Sequence, residues 1–225
     1  MVNYKEPFTR LQHVGLINAE DGRKMSKRWG NVVNPDDIVE TYGADTLRMY
    51  EMFMGPFSQS VSWSTESIIG PRRFLEKVWK LQVKVGKTTH GNVITKNSLL
   101  NQTIKKVQED IESFNFNTAI AQMMILVNQM DKDMSVSKGA YETFLKVLTP
   151  FAPHITEEIW HELGNETSIH LEEWPEYDES LVKEEKVNFV LQVNGKVRDV
   201  VEVMLAYRKM MQKNFLRKAR KQKNG

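Results

Sequence analysis

The chain reads as a mainly α protein, with a helical bundle at its centre, a short loop-and-helix segment before it and a β-hairpin after it. Three observations predict this. Apolar residues recur at three- and four-residue spacing in successive stretches from Phe74 to Leu163. Polar breaks bearing Gly or Pro separate many of these elements. Strict alternation occurs around Asn194-Gly195, the residue pair that best suits a two-residue hairpin turn. With 225 residues, 40% of them hydrophobic and 27% charged, the chain can bury a core, which excludes disorder along its whole length.

Residues 1–55 form the first segment. Its start, residues 1–9, has no apolar stretch and carries Lys5 and Glu6, so it does not read as a secretory signal. Asn34-Pro35-Asp36-Asp37 opens a helix running to about Tyr42. Asn34 can cap it, Pro35 has no N–H to leave unsatisfied, and the two acids face the positive end of the dipole. Gly43 permits a break, residues 44–54 form a second helix with Leu47, Tyr50 and Met54 on one face, and Gly55-Pro56 ends it. Two short helices and a loop bury too little surface to be a domain alone.

The bundle spans 56–165. Its stripes are Phe74, Leu75, Val78, Trp79 and Leu81; then Leu100, Ile104, Val107 and Ile111; then Ile120, Met123, Met124 and Val127, with Met130 also read as core; then Tyr141, Phe144, Leu145 and Leu148. A fifth helix opens at Pro153, carries Ile155, Ile159, Trp160 and Leu163, and stops at Gly164. Five amphipathic helices joined by short polar loops predict an antiparallel bundle. Residues 166–186 are acidic and irregular, a linker or wrapping loop. Residues 187–203 form the hairpin, which is marginal alone and needs a surface to lean on.

Net charge is +2, but from Arg208 to the end there are eight Lys and Arg and no acid, leaving 23 bases against 29 acids elsewhere. For the basic tail, 204–225, two readings stay open: a frayed end, or a helix that folds on RNA phosphate. The absence of Cys excludes disulfides and thiolate metal sites and is compatible with the cytoplasm. The longest apolar run, about Met123 to Val127, falls far short of the roughly 18 residues that a membrane span requires, so no membrane partner is expected.

Between Gly22 and Gly30 stand Arg23, Lys24, Lys27 and Arg28. A flexible cationic loop suits a polyphosphate: ammonium groups meet the charge that builds as a bond breaks, while Ser26 and backbone N–H groups add donors. By composition alone a solvated basic loop fits better; residue order reverses that preference. Lys24-Met25-Ser26-Lys27 followed by Gly30-Asn31, an Asn-Pro helix start and Tyr42-Gly43-Ala44-Asp45-Thr46-Leu47-Arg48 resembles the signature loop of class I aminoacyl-tRNA synthetases. The family has Ser after the second Lys, where this chain has Arg28.

The resemblance continues through Trp63-Ser64, Phe74-Leu75, Val78-Trp79-Lys80-Leu81, Phe116-Asn117-Thr118-Ala119 and the run from Leu148 through Pro153 to Trp160. These look like the helical anticodon-binding domain of the leucine, isoleucine, valine and methionine branch. Within it, Gln192-Val193-Asn194-Gly195-Lys196-Val197-Arg198 is most similar to the leucyl-tRNA synthetases, with an isoleucyl or valyl relative as the neighbouring reading.

The resemblance implies a remnant of the catalytic domain over 1–55, an anticodon-binding bundle and the opening strands of a C-terminal domain. It implies activation of leucine by ATP, bound with Mg as a substrate, and transfer to leucine-specific tRNA in the cytoplasm. Lys24, Met25, Ser26 and Lys27 would hold ATP, with Lys24 and Lys27 catalytic by neutralising the triphosphate as pyrophosphate leaves, and Lys27 the stronger of the two. Such chemistry rests on positioning and electrostatics. The family's His-x-Gly-His motif, leucine pocket and editing domain are not visible; His13-Val14-Gly15-Leu16 is a superficial echo. Leucine would be reached through a missing N-terminal part, which a separate catalytic subunit could carry, so the chain alone is expected to be inactive. The alternative of another class is a non-catalytic, stand-alone tRNA-binding module. Arg72, Arg73, Lys77, Lys80 and Lys84 along the first bundle helix, with Lys196 and Arg198 in the hairpin, are candidates for tRNA phosphate contacts; a solvated face is the bland reading.

Two further patterns carry less. Gly86-Lys87-Thr88 has Leu81 where a phosphate-binding loop needs its first Gly, so it reads as a linker. His154 with Glu158, and Glu157 with His161, sit four apart and read as surface pairs; no bound metal is expected.

Overall fold

The computed structural model describes residues 8–86, 98–182, 186–193 and 196–204, with side chains as far as Val182. The Lys87-Thr88 pair, the Asn194-Gly195 turn and the basic tail lie outside the described residues, as do the side chains of Lys196 and Arg198. The chain divides into two compact units, Met1–Tyr177 and Asp178–Gly225.

The first unit opens with β1 (Ile17–Asn18), followed by α1 (Pro35–Tyr42), α2 (Ala44–Phe53) and β2 (Val61–Ser62). β1 and β2 pair in parallel, Ile17 with Val61 and Asn18 with Ser62. Gly15 lets them approach, because a Cβ there would lie 1.9 Å from the Gln59 carbonyl oxygen. α1 forms for the reasons legible in its sequence: Pro35 stands in its first turn, and Asn34 Oδ1 accepts from the Asp36 N–H at 3.3 Å. Gly43, at φ 91, separates it from α2. Ile38, Tyr50, Trp63 and Ile68 form a small core under this segment. The Tyr50 hydroxyl donates to the Ser64 carbonyl at 2.8 Å and accepts from the Ser64 N–H at 3.0 Å, while its ring meets Trp63 edge-on at 5.0 Å.

The bundle comprises α3 (Ile69–Leu81), α4 (Ser98–Glu112), α5 (Phe116–Lys132), α6 (Lys138–Leu148) and α7 (Pro153–Glu162). Leu100, Ile104, Val107, Ile120, Met123, Val127, Phe144, Leu145, Leu148 and Ile159 fill its core, and Met124 packs against it. Each fully buried residue of this size contributes about 1.5–3 kcal/mol by leaving water. Tyr141 is buried with its hydroxyl donating to the Val78 carbonyl at 2.6 Å, tying α6 to α3, and burial pushes its phenol well above the ordinary range.

Three features depart from the sequence pattern. Trp79, expected on the apolar stripe of α3, is 39% exposed, because the step of about 100° per residue carries it off the face that Leu75 and Val78 occupy. The connection from α3 to α4 is long, and within it β3 (Val85–Gly86) pairs in parallel with β4 (Val136–Ser137). Pairs of two residues carry no period to detect. The acidic stretch after α7 folds back: Ile169 is buried, and Trp174 and Tyr177 pack on the bundle core.

The α4–α5 turn is tight. Phe114 takes a left-handed φ of 59, an uncommon conformation for a bulky residue, and is held between Phe57 at 5.3 Å and Phe116 at 5.7 Å. Asp110 is buried beside it and accepts from Thr118 Oγ1 at 2.7 Å and Lys106 Nζ at 2.5 Å.

In the second unit α8 (Glu179–Val182) precedes β5 (Lys186–Val193) and β6 (Lys196–Met204), an antiparallel pair. Val193 pairs with Lys196, and the register shifts between Leu191 and Gln192, whose partners are Asp199 and Val197, so Arg198 stands as the extra residue of a bulge. No helix among the described residues is long and apolar enough to cross a membrane.

Candidate functional site

The cationic loop leaves β1 and is shaped by its own short contacts. The Ala19 N–H donates to the Arg23 carbonyl at 2.8 Å, and Lys24 bridges back to Asn18. Ser26 works in two directions: its N–H donates to Asn31 Oδ1 at 2.8 Å, and its Oγ accepts from the Arg28 N–H at 3.2 Å, capping the 3-10 turn Lys27–Trp29. Gly30, at φ 62, ends that turn in a conformation that a side chain would disfavour.

These contacts sort the predicted residues. Lys24 and Lys27 lie exposed on the loop, and no ion pair to either is formed among the described residues. Met25 turns inward and packs on the small core around Trp63, so its side chain anchors the loop and leaves only its backbone for a ligand. Ser26 has its oxygen engaged in the cap. Arg23 is held by Asp21 through Nε at 2.8 Å and Nη2 at 2.5 Å, an engagement that holds the Asp21 carboxyl below the usual range. Asn31 Nδ2 is buried and forms no hydrogen bond of good geometry, though the amide lies near enough to Asp21 to help hold that carboxyl down. Trp29, which no pattern in the sequence singles out, is 55% exposed with the guanidinium groups of Arg23 and Arg28 at 5.2 and 5.3 Å from its ring centre.

The α3 cations divide unequally. Arg72 Nε meets Glu76 at 2.9 Å and its Nη1 donates to the Tyr42 carbonyl at 2.9 Å. Lys77 donates to Asn128 at 2.8 Å and lies 3.8 Å from Asp131, which Lys84 also holds at 3.1 Å. Arg72 and Lys77 fasten α3 to its neighbours, while Lys84, expected along the same helix, lies past its end at Leu81 in the 3-10 turn Gln82–Lys84 and ties that turn to α5. Arg73 and Lys80, two turns apart on one exposed face, have no such partner among the described residues and form no ion pair there.

A joint between loop segment and bundle leaves no mark in the sequence pattern. Asp45, 8% exposed in the first turn of α2, reaches the start of α7: Oδ2 accepts from the Ile155 N–H at 2.7 Å, and Oδ1 from the His154 N–H at 3.4 Å while lying 2.7 Å from His154 Nδ1. Ala152 offers α7 no side-chain cap, so Asp45 supplies one from another helix. Arg48 Nη2 adds a bond to the Pro150 carbonyl at 3.0 Å. The second His pair is also structural: Glu157 accepts from His161, Ser168 and the Ile169 N–H. Among the described residues no group of three or more His, Cys, Asp or Glu is placed to hold a metal ion.

Comparison with known proteins bears on both parts. Residues 97–212 match the family model of the anticodon-binding domain of tRNA ligase, and residues 1–64 that of class I tRNA synthetases (I, L, M and V). Among solved structures, LeuRS of Agrobacterium radiobacter, in its ternary complex with tRNA and LeuAMS, is 30% identical with a TM-score of 0.74 over 93% of this chain. The chain spans 29% of the length of that protein. Methionyl-tRNA synthetase of Mycobacterium tuberculosis, in complex with methionyl-adenylate, is 17% identical over 68% of this chain and 42% of its own, with a TM-score of 0.47, too loose a likeness to bear on function. The mainly helical fold and both family matches agree with the order of motifs along the sequence: this chain belongs to the class I tRNA synthetases of the I, L, M and V group and carries their anticodon-binding domain.

Proposed function

We propose that the chain is the C-terminal portion of a leucine-tRNA ligase, with Lys24, Met25, Ser26 and Lys27 at the ATP phosphates and the bundle as a docking surface for leucine-specific tRNA. The observation that carries this reading is likeness to a leucyl enzyme over 93% of the chain. The exposed Lys24 and Lys27 suit the charge that develops on departing pyrophosphate. Mg-bound ATP is a substrate in this scheme. Leucine is bound by the rest of the catalytic domain, on the same chain or another.

The test is leucine-dependent ATP–pyrophosphate exchange. The chain alone should show none, since one loop cannot orient ATP against a carboxylate. Joined with the remaining catalytic portion it should exchange, and Lys27→Ala should lower the rate by on the order of 10²-fold, the effect of losing one donor to developing charge. Unchanged exchange with weakened tRNA binding would assign the loop to RNA and favour a binding module. Equal binding of leucine-, isoleucine- and valine-specific tRNA would remove the leucyl assignment.

A further inference from the structure

Trp29 has no role in the scheme above. It lies 55% exposed at the end of a 3-10 turn, where an apolar side chain gains nothing from burial. Its surroundings are specific. Arg23, fixed by Asp21, and Arg28 both lie within 5.3 Å of the indole centre, a cation–π arrangement on each. Arg28 makes no ion pair among the described residues, and Lys24 and Lys27 stand in the same loop. The stretch from Glu20 to Asn31 holds four cations against two acids. Asp21 is engaged by Arg23, and Glu20 accepts from the Thr65 N–H at 2.9 Å, so neither acid is free to neutralise Lys24 or Lys27.

An exposed indole with guanidinium groups lying over its ring, beside ammonium groups that form no ion pair among the described residues, has the chemistry that recognises an unpaired base with its phosphates: the base stacks on the layered guanidinium and indole, and the ammonium groups follow the backbone. We propose that Trp29 and Arg28 form a stacking platform for an unpaired base of single-stranded RNA, with Lys24 and Lys27 meeting the adjoining phosphates. This rests on the proposed ligase reading in one respect: aminoacyl transfer requires the single-stranded 3′ end of the RNA to reach the nucleotide held at this loop. Ser26 and Gly30 set the turn that presents Trp29 outward, and the inward anchor of Met25 keeps it there.

The full chain is titrated with a labelled single-stranded RNA hexanucleotide ending in adenosine, followed by anisotropy, and separately with ATP. Wild type should bind the hexanucleotide and bind a duplex RNA of equal length more weakly. Trp29→Ala should weaken hexanucleotide binding by about tenfold, and Trp29→Phe by less, because a smaller aromatic still stacks. The slope of log affinity against log salt should be unchanged by Trp29→Ala but reduced in Lys27→Ala by somewhat under one unit, about 0.7 for a single-strand phosphate contact. ATP binding should survive Trp29→Ala and fall in Lys27→Ala. Hexanucleotide affinity unchanged in Trp29→Ala, no binding by wild type, or equal affinity for the duplex would each overturn the platform. Loss of ATP binding alongside RNA binding in Trp29→Ala would overturn it too, by making Trp29 a support of the loop. A Lys27→Ala chain that binds ATP as well as wild type would instead count against the phosphate reading while leaving the platform standing.

Discussion

Glu157 sits in the second turn of α7 and gathers donors from residues that follow it in the chain. Burial pushes its carboxyl up, but bonds from Ser168 Oγ at 3.1 Å, the Ile169 N–H at 3.0 Å and His161 Nε2 at 3.1 Å outweigh this and hold it below the usual range. His161 is shifted upward, first by its bond to the Asn165 carbonyl at 2.8 Å and then by Glu157. The two titrations act in opposite directions. A lowered carboxyl stabilises the fold above its unfolded value of about 4.3 and loses that effect as pH falls through its folded value. A raised imidazole stabilises below about 6.5 and loses that effect as pH rises through its folded value. Glu157→Gln should therefore lower the thermal midpoint most at about pH 5–6, and less on either side. A difference that stays flat from about pH 4 to 8 would show that the clasp contributes no charge-dependent stability. From sequence these residues read only as pairs on an exposed helix face; that Ser168 and Ile169 return to them depends on the fold-back after Gly164.

At the scale of elements, α1 and the spacing of the bundle stripes were readable because each rests on local rules: a cap, a Pro without N–H, and apolar residues on one face. What joins the elements was not. Asp45 reads as an acid in the first turn of α2, helpful to its own helix dipole, yet its oxygens meet the His154 and Ile155 N–H groups at 3.4 and 2.7 Å, 109 and 110 residues away. Asp45→Ala removes both acceptors and leaves the His154 and Ile155 N–H groups without partners, which should cost about 1–3 kcal/mol. Asp45→Asn, retaining one acceptor, should cost less. Urea unfolding followed by circular dichroism measures both, and an Ala variant as stable as wild type would mean that water replaces the carboxylate at no cost.

For the molecule as a whole, α3 and the turn after it separate two uses of positive charge. Arg72 and Lys77 on α3, and Lys84 in the turn, hold neighbouring elements, while Arg73 and Lys80 face outward. If the bundle docks tRNA through phosphates, affinity should fall steeply with salt, and Arg73→Ala with Lys80→Ala should flatten that dependence by about one unit for each phosphate left without its cation. Arg72→Ala and Lys77→Ala should instead lower stability. A salt dependence unchanged in the Arg73, Lys80 double variant would move the RNA surface to another face.

By itself the sequence determined the helical class, the five apolar stripes, the hairpin and the family, because periodicity, caps, turn pairs and ordered motifs are written in neighbouring residues. Tertiary structure decided which members of a motif point where. Lys24 and Lys27 stay outside while Met25 turns into the Trp63 cluster, because that cluster exists only once Ile38, Tyr50 and Ile68 have come together. Likewise Asp45 became a cap for α7, and Arg72 and Lys77 became fasteners, because hydrogen-bond partners distant in sequence satisfy groups that burial would otherwise leave unpaired. Such partners leave no periodic trace in a single chain, and only folding brings them within reach.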